Sequence, residues 1–209
     1  KLPNDVYIFL CSSDILHTVL CVWGCFSLWG LAYIFIDIPA VFVQKCIHAV
    51  ERRGLDIDGL YRVSGNLAVI QKLRFKADHG KINQRWEDVH VITGALKLFF
   101  RELPEPLFPY SHFNKFISAI SEDFLNNKSN LNHCSLPDPN HDTMRLLFGH
   151  LHRVIEYGQD NRMTVQNVAI VFGPTLLRPE MESGNIAMYM VFQNQIVEFI
   201  LNEYNYLFQ

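Results

Sequence analysis

One stretch decides the fold class of this chain: WEDVHVITGALKLFFRELPEPLF, residues 86–108. Its apolar residues recur at steps of three and four, which is the period of an amphipathic helix: Val89, Ile92, Leu96, Phe99 and Leu103. Pro104 and Pro106 follow, and a proline ends a helix because it lacks the backbone donor and clashes with the preceding turn. The stretch therefore predicts a helix over about 87–102 with one face in a core.

The rest of the chain from residue 38 onward shows the same helical period and no sustained alternation of polar and apolar residues. Further helices are predicted to begin at Pro39, after Asn66, at Tyr110, at Asn140, after Thr164 and near Met190. Five of them have predicted ends: at Gly54, at Ser121, at Gly158, at Gly173-Pro174 and at Leu207. We expect an all-α fold, a single helical bundle domain over residues 38–209.

An unusually apolar segment precedes this domain. Residues 15–36 are 22 residues without a formal charge, 17 of them hydrophobic, which is long enough to span a bilayer. No cluster of Lys or Arg flanks the segment, and Gly24, Gly30 and Ser27 dilute it. Two interpretations stay open for residues 1–37: a membrane or interfacial segment, or a buried or non-native N-terminal stretch.

Composition excludes several classes of function. The net charge of -3 gives no reason to expect nucleic-acid binding. The five cysteines are an odd number without a second pair at zinc-site spacing, so neither a disulfide framework nor a metal site is expected. His141, His150 and His152 lie near one helix but offer no pair at positions i and i+4, so satisfied or solvent-facing histidines are expected there.

Nucleotide-binding loops are also missing from the sequence. It contains neither GxxxxGK[ST] nor a GxGxxG before a helix. We therefore expect no cofactor, and we do not expect the chain to bind or hydrolyse a nucleotide by itself.

A short loop carries the first candidate functional residue, Arg62. The loop is GLYRVSG, residues 59–65, and we call it the Arg62 loop. Apolar Leu60 and Tyr61 precede the arginine and two glycines bracket the loop, so it should be pinned at both ends. Taken alone, an arginine on a loop is usually a solvated charge.

Three further polar residues lie close to apolar faces. Lys97 and Arg101 are four residues apart, so they share one face of the helix over 87–102. This pair is either a solvated basic face or part of a site that binds a partner. Asn167 lies among valines after Thr164, where its amide is expected to bond either nearby backbone or a docked protein.

Three blocks of this sequence resemble, in order, those of the RhoGAP family, the GTPase-activating domains that act on Rho-family GTPases. The blocks are GLYRVSG at 59–65, KLFFRELPEPLF at 97–108 and NRMTVQNVAIVFGPTLLRP at 161–179. Together they are highly specific, and the resemblance covers about four-fifths of the chain. In detail the sequence resembles the subgroup that elsewhere carries SH3, WW and pleckstrin-homology modules. The sequence departs from the family in its apolar lead-in before residue 37 and in residues 121–136, which lack the expected apolar rhythm.

The resemblance implies a helical bundle of the RhoGAP type and a role for each candidate residue. Arg62 would enter the active site of a GTP-bound Rho-family GTPase as an arginine finger. Lys97 and Arg101 would support the Arg62 loop and the docking surface, and Asn167 would contact the partner or orient that loop. The nucleotide and magnesium would belong to the GTPase, so the chain would be a catalytic accessory rather than an enzyme.

The subgroup suggests a Rac-type partner. The cysteines are typical of small apolar side chains in a reducing cytosol, so a cytoplasmic location is expected. Membrane association through residues 15–36 is the alternative for location. Two alternative functions remain at this point: a catalytically inactive GTPase-binding module of the same fold, and a membrane-anchored adaptor.

Overall fold

The computed structural model describes residues 38–78, 88–121, 137–179 and 186–208. Within these ranges the chain forms nine helices and no strand, which confirms the all-α expectation. The helices are α1 (Ile38–Arg53), α2 (Leu67–Asp78), α3 (Val89–Arg101), α4 (Tyr110–Ser121), α5 (Asp138–Glu156), α6 (Gly158–Asn161), α7 (Val165–Leu176), α8 (Ile186–Asn202) and α9 (Tyr204–Leu207).

Helix α3 lies at the centre of the bundle. It packs against α1, α2 and α7, and α7 in turn packs against α8. The apolar residues of the predicted stripe are all buried, the last of them just beyond the C-terminal end of α3: Val89, Ile92, Leu96, Phe99 and Leu103. Aromatic rings join the neighbouring helices to this core, as where Phe99 meets Phe42 of α1 with ring centroids 5.3 Å apart. The stretch that predicted the fold therefore forms its core helix.

Several helix ends differ from the sequence-based prediction. The predicted end at Gly173-Pro174 was wrong, because α7 continues through Pro174 to Leu176. Pro174 has no backbone N–H to donate, and two other hydrogen bonds stabilise the last turn. Leu177 N donates to Gly173 O at 3.0 Å, and the Thr175 hydroxyl donates to Val171 O at 2.8 Å. The predicted continuous last helix is divided into α8 and α9. Helix α5 ends at Glu156, just before its predicted stop at Gly158, and the one-turn helix α6, which was not predicted, begins at Gly158.

Some predictions lie outside the described residues. Both interpretations of residues 1–37, including the apolar segment over 15–36, fall there, as does the irregular stretch over 122–136. None of the helices built from the described ranges is long and apolar enough to cross a membrane.

Candidate functional site

The Arg62 loop connects α1 to α2 and exposes its arginine to solvent. The Arg62 side chain is 52% exposed, and its guanidinium lies 3.8 Å from the carboxylate of Asp58, an exposed pair that adds little stability. The main chain beneath it is ordered by a tight turn, since the N–H groups of Arg62 and Val63 both donate to Gly59 O at 2.8 Å. The loop thus combines a solvated side chain with a fixed backbone.

Tyr61 anchors the loop from inside the core. Its side chain is completely buried, and its ring meets that of Phe172 in α7 edge to face with centroids 5.0 Å apart. Its backbone has φ of +67°, a left-handed conformation that is unfavourable for a bulky residue. Such a conformation persists only when the surroundings impose it. The buried ring therefore fixes the direction in which the next residue, Arg62, leaves the domain.

Lys97 binds the main chain of Tyr61. Its Nζ donates a hydrogen bond of 2.5 Å to the carbonyl oxygen of Tyr61, and its side chain is buried. Burial, together with the nearby charge of Arg101, lowers the pKa of Lys97 to about 8. For Lys97 the solvated basic face was therefore the wrong interpretation, because its side chain is buried and its amine bonds the Tyr61 carbonyl.

Arg101, one turn further along α3, is exposed and joins α3 to α7. Its Nε donates to the hydroxyl of Thr175 at 3.2 Å. Its carbonyl oxygen accepts a 2.9 Å bond from Arg178 NH1, while Arg178 NH2 donates to Leu103 O at 2.5 Å. Arg178 therefore satisfies carbonyls at the C-terminal end of α3, where a helix leaves them without partners. This end of α3 is fixed against the segment that follows α7.

Asn167 closes the first turn of α7. Its Oδ1 accepts from Thr164 N at 3.3 Å, and Thr164 Oγ1 accepts from Asn167 N at 3.2 Å, which together make a capping box. Of the two partners that the sequence left open, the backbone partner is therefore observed. This cap uses the oxygen of the Asn167 amide, and the side chain is half-buried.

The RhoGAP domain family matches residues 40–181, more than half of the chain. The chain belongs to the RhoGAP family. All four residues singled out from the sequence lie within the matched range: Arg62, Lys97, Arg101 and Asn167.

Curated relatives match this RhoGAP domain closely. Rho GTPase-activating protein 27 of Homo sapiens is 66% identical over 172 residues, covering 78% of this chain and 19% of its own length. Rho GTPase-activating protein 12 of Homo sapiens is 60% identical over 173 residues, covering 80% of this chain and 20% of its own length. The chain thus spans about a fifth of the length of these relatives.

Solved structures agree with the fold of this RhoGAP domain. The crystal structure of human Rho GTPase activating protein 15 superposes with a TM-score of 0.78 at 55% identity, covering 80% of this chain and 83% of that one. The BH domain from Graf, the GTPase regulator associated with focal adhesion kinase, gives a TM-score of 0.74 at 36% identity, covering 82% of this chain and 95% of that one. The expected RhoGAP-type bundle is confirmed.

Sequence reasoning missed one buried residue that supports the site, Asn161. Its carbonyl oxygen accepts from Gly59 N at 2.8 Å, which ties the base of the Arg62 loop to the end of α6. Its side chain donates to Leu55 O and Val154 O at 2.7 and 2.8 Å and accepts from Met163 N at 2.8 Å. The available signal was an amide inside the same sequence block as Asn167, three residues before the N-cap residue Thr164.

The sequence alone also did not distinguish His150 from His141 and His152. The structure separates it, because its side chain is completely buried and its Nε2 lies 2.7 Å from the hydroxyl oxygen of Tyr61. Its position at helical spacing from buried Leu147 and Val154 was the available signal.

Proposed function

We propose that this RhoGAP domain accelerates GTP hydrolysis by a Rho-family small GTPase in its GTP-bound state, with Arg62 inserted in trans as an arginine finger. In this proposal the domain is a catalytic accessory. The nucleotide, the magnesium ion and the attacking water belong to the GTPase. We further propose a Rac-type GTPase as the partner, on the strength of the subgroup that the sequence resembles.

The contrast between Arg62 and its neighbour carries this proposal. An exposed guanidinium is available to a partner, whereas Tyr61 is buried and bound by Lys97, so little order has to be imposed on the backbone when the partner docks. Inside a GTPase active site the guanidinium would neutralise charge on the oxygens of the transferring phosphoryl group. A finger of this kind is worth about 10³ to 10⁵ in rate, roughly 4 to 7 kcal/mol of barrier.

The other three residues have supporting roles in the proposal. Lys97 acts through the Tyr61 carbonyl and fixes the loop, because its amine is used inside the domain. Arg101 is exposed and belongs to the docking surface while its Nε holds Thr175. Asn167 keeps α7 capped with Oδ1 and offers its amide N–H groups to the docked GTPase.

The test is phosphate release from a GTP-loaded Rac-type GTPase with and without the 209-residue chain. We expect strong acceleration by the wild type and its loss with Arg62→Ala. Arg62→Lys keeps the charge but not the planar donor fork, so it should recover only a small part of the acceleration. Arg52→Ala, which removes an exposed arginine at the C-terminal end of α1, is the matched control and should leave the acceleration unchanged.

Binding measurements separate the remaining alternative. Complex formation without any acceleration by the wild type, repeated across other Rho-family GTPases, would support a binding-only module and contradict the proposal. Unchanged acceleration by a folded Arg62→Ala variant would show that another group performs the work assigned to Arg62.

A further inference from the structure

Three side chains form a hydrogen-bonded chain from α1 to the residue before Arg62. Glu51 Oε1 lies 3.1 Å from His150 Nδ1, and His150 Nε2 lies 2.7 Å from the hydroxyl oxygen of Tyr61. The second carboxylate oxygen of Glu51 accepts a 2.7 Å bond from Arg153. These hydrogen bonds connect α1, α5 and the Arg62 loop. Tyr61 and Glu51 each lie about 90 to 100 residues away from His150 in the sequence.

The environment sets the direction of each hydrogen bond in this chain. Burial lowers the pKa of His150, so its imidazole is neutral, and the hydrogen bond from His150 lowers the pKa of Glu51, which keeps it ionised. An ionised carboxylate only accepts, so Nδ1 carries the imidazole hydrogen and Nε2 is left as an acceptor. Burial also raises the pKa of Tyr61, so its hydroxyl keeps its proton and donates it to Nε2.

Each end of Tyr61 is therefore fixed by a different helix. Lys97 of α3 holds the carbonyl oxygen, and His150 of α5 holds the hydroxyl oxygen. Between these two points the residue has φ of +67°, an unfavourable conformation that must be imposed by its contacts. A tyrosine released from His150 can shift its ring and let the backbone relax toward negative φ. The main chain of Arg62 would then turn with it.

We propose that His150, oriented by Glu51, is a positioning residue for the Arg62 loop and acts through the buried hydroxyl of Tyr61. The catalytic consequence rests on the proposed GTPase-activating function, but the positioning itself is a property of the domain. Displacing a reacting group by about 1 Å can cost a hundredfold in rate, so a small rotation at Tyr61 would reduce the contribution of Arg62.

The variants for the test are Tyr61→Phe, His150→Leu and the double variant in the 209-residue chain. Tyr61→Phe removes one oxygen and keeps the ring, so the core packing around Phe172 is preserved. The matched controls replace a tyrosine and a histidine that do not belong to the three hydrogen-bonded side chains. Tyr204→Phe removes a hydroxyl that bonds Arg145 O, and His152→Leu removes a half-exposed histidine.

The first readout is single-turnover GTP hydrolysis by a Rac-type GTPase over a range of chain concentrations. We expect Tyr61→Phe and His150→Leu each to lower the maximal stimulated rate about three- to tenfold, the effect of one net buried hydrogen bond. The half-saturating concentration should change less than about twofold, because the docking surface is untouched. The double variant should lose no more than either single variant, since both remove the same bond. Both controls should behave as wild type.

The second readout does not depend on activity. Amide hydrogen exchange at Arg62 and Val63 reports the two bonds to Gly59 O, and we expect it to become about three- to tenfold faster in Tyr61→Phe while core amides of α3 are unchanged. This result supports positioning even if the wild-type chain stimulates no GTPase, in which case only the proposed function fails. Unchanged exchange at Arg62 and Val63, or an equal increase throughout the domain, would overturn the inference.

Discussion

Lys97 Nζ lies 2.5 Å from the carbonyl oxygen of Tyr61, the residue that immediately precedes the exposed Arg62. The bond joins the middle of the central helix α3 to a loop 36 residues earlier in the chain. Lys97 therefore carries a buried positive charge whose hydrogen bond acts on the loop rather than on the rest of the core. Its contributions to stability and to function should be separable.

We predict that Lys97→Met lowers GTPase stimulation at least tenfold while the free energy of unfolding changes by less than about 1 kcal/mol. Losing the bond leaves the Tyr61 carbonyl without its donor, which costs about 1–3 kcal/mol, but removing a buried charge offsets this cost. Urea denaturation and phosphate release would be measured on the same preparation. The exposed Lys115 of α4 is the control, and Lys115→Met should change neither quantity. A large loss of stability with normal stimulation would contradict the separation.

The lowered pKa of Lys97 predicts how stability depends on pH. Its pKa is about 8 in the folded domain against an ordinary value of 10.5, so between these values the unfolded chain binds a proton that the folded chain has released. Stability therefore rises with pH across this window, and the burial cost is fully present only below about pH 8. We expect wild type to gain stability relative to Lys97→Met between pH 7 and pH 10 in urea denaturation. A constant difference would place the Lys97 pKa near its ordinary value.

Gly65, at the far end of the Arg62 loop, has no room for a side chain. A Cβ there would lie 2.6 Å from His90 O and 2.7 Å from Val91 N, which are main-chain atoms at the start of α3. We predict that Gly65→Ala lowers the free energy of unfolding by about 1–3 kcal/mol and also lowers GTPase stimulation, because the loop must move away from α3.

Gly94 in α3 provides the control for this substitution. A Cβ at Gly94 would meet the terminal methyl of Ile70, which can rotate away, and alanine favours a helix. Gly94→Ala should therefore cost less than about 1 kcal/mol and leave stimulation unchanged. If both glycine variants lost equal amounts of stability and of GTPase stimulation, the close contact between Gly65 and α3 would not explain the effect of Gly65→Ala.

The helical spacing of the apolar residues and the positions of the prolines were enough to predict the helical bundle and its core helix. The inner face of α3 was predicted residue by residue because apolar spacing depends only on local sequence. The end of α7 was not, since the turn after Pro174 is held by a side-chain bond from Thr175 and by Leu177, which proline rules do not include.

The site was predictable only where a residue is exposed or belongs to a recognisable block. Arg62 was singled out as a candidate from its loop and from the resemblance of its sequence block to the family. The burial of Lys97 was not predicted, because its position on a helix face does not reveal a loop carbonyl brought close by the fold. Asn161 and His150 were missed for the same reason, as their partners lie about 90 to 106 residues away in sequence.

Asn167 offers a comparison between a structural role and a binding role. Asn167→Ala and Thr164→Ala each remove one half of the same capping box, so each should lower the free energy of unfolding by about 1 kcal/mol. In the proposed complex only Asn167 also donates amide N–H groups to the GTPase, so only Asn167→Ala should raise the concentration of the chain needed for half-maximal GTPase stimulation. We expect an increase of about tenfold, typical of one lost interfacial hydrogen bond. If both variants raise that concentration equally, the cap alone accounts for Asn167.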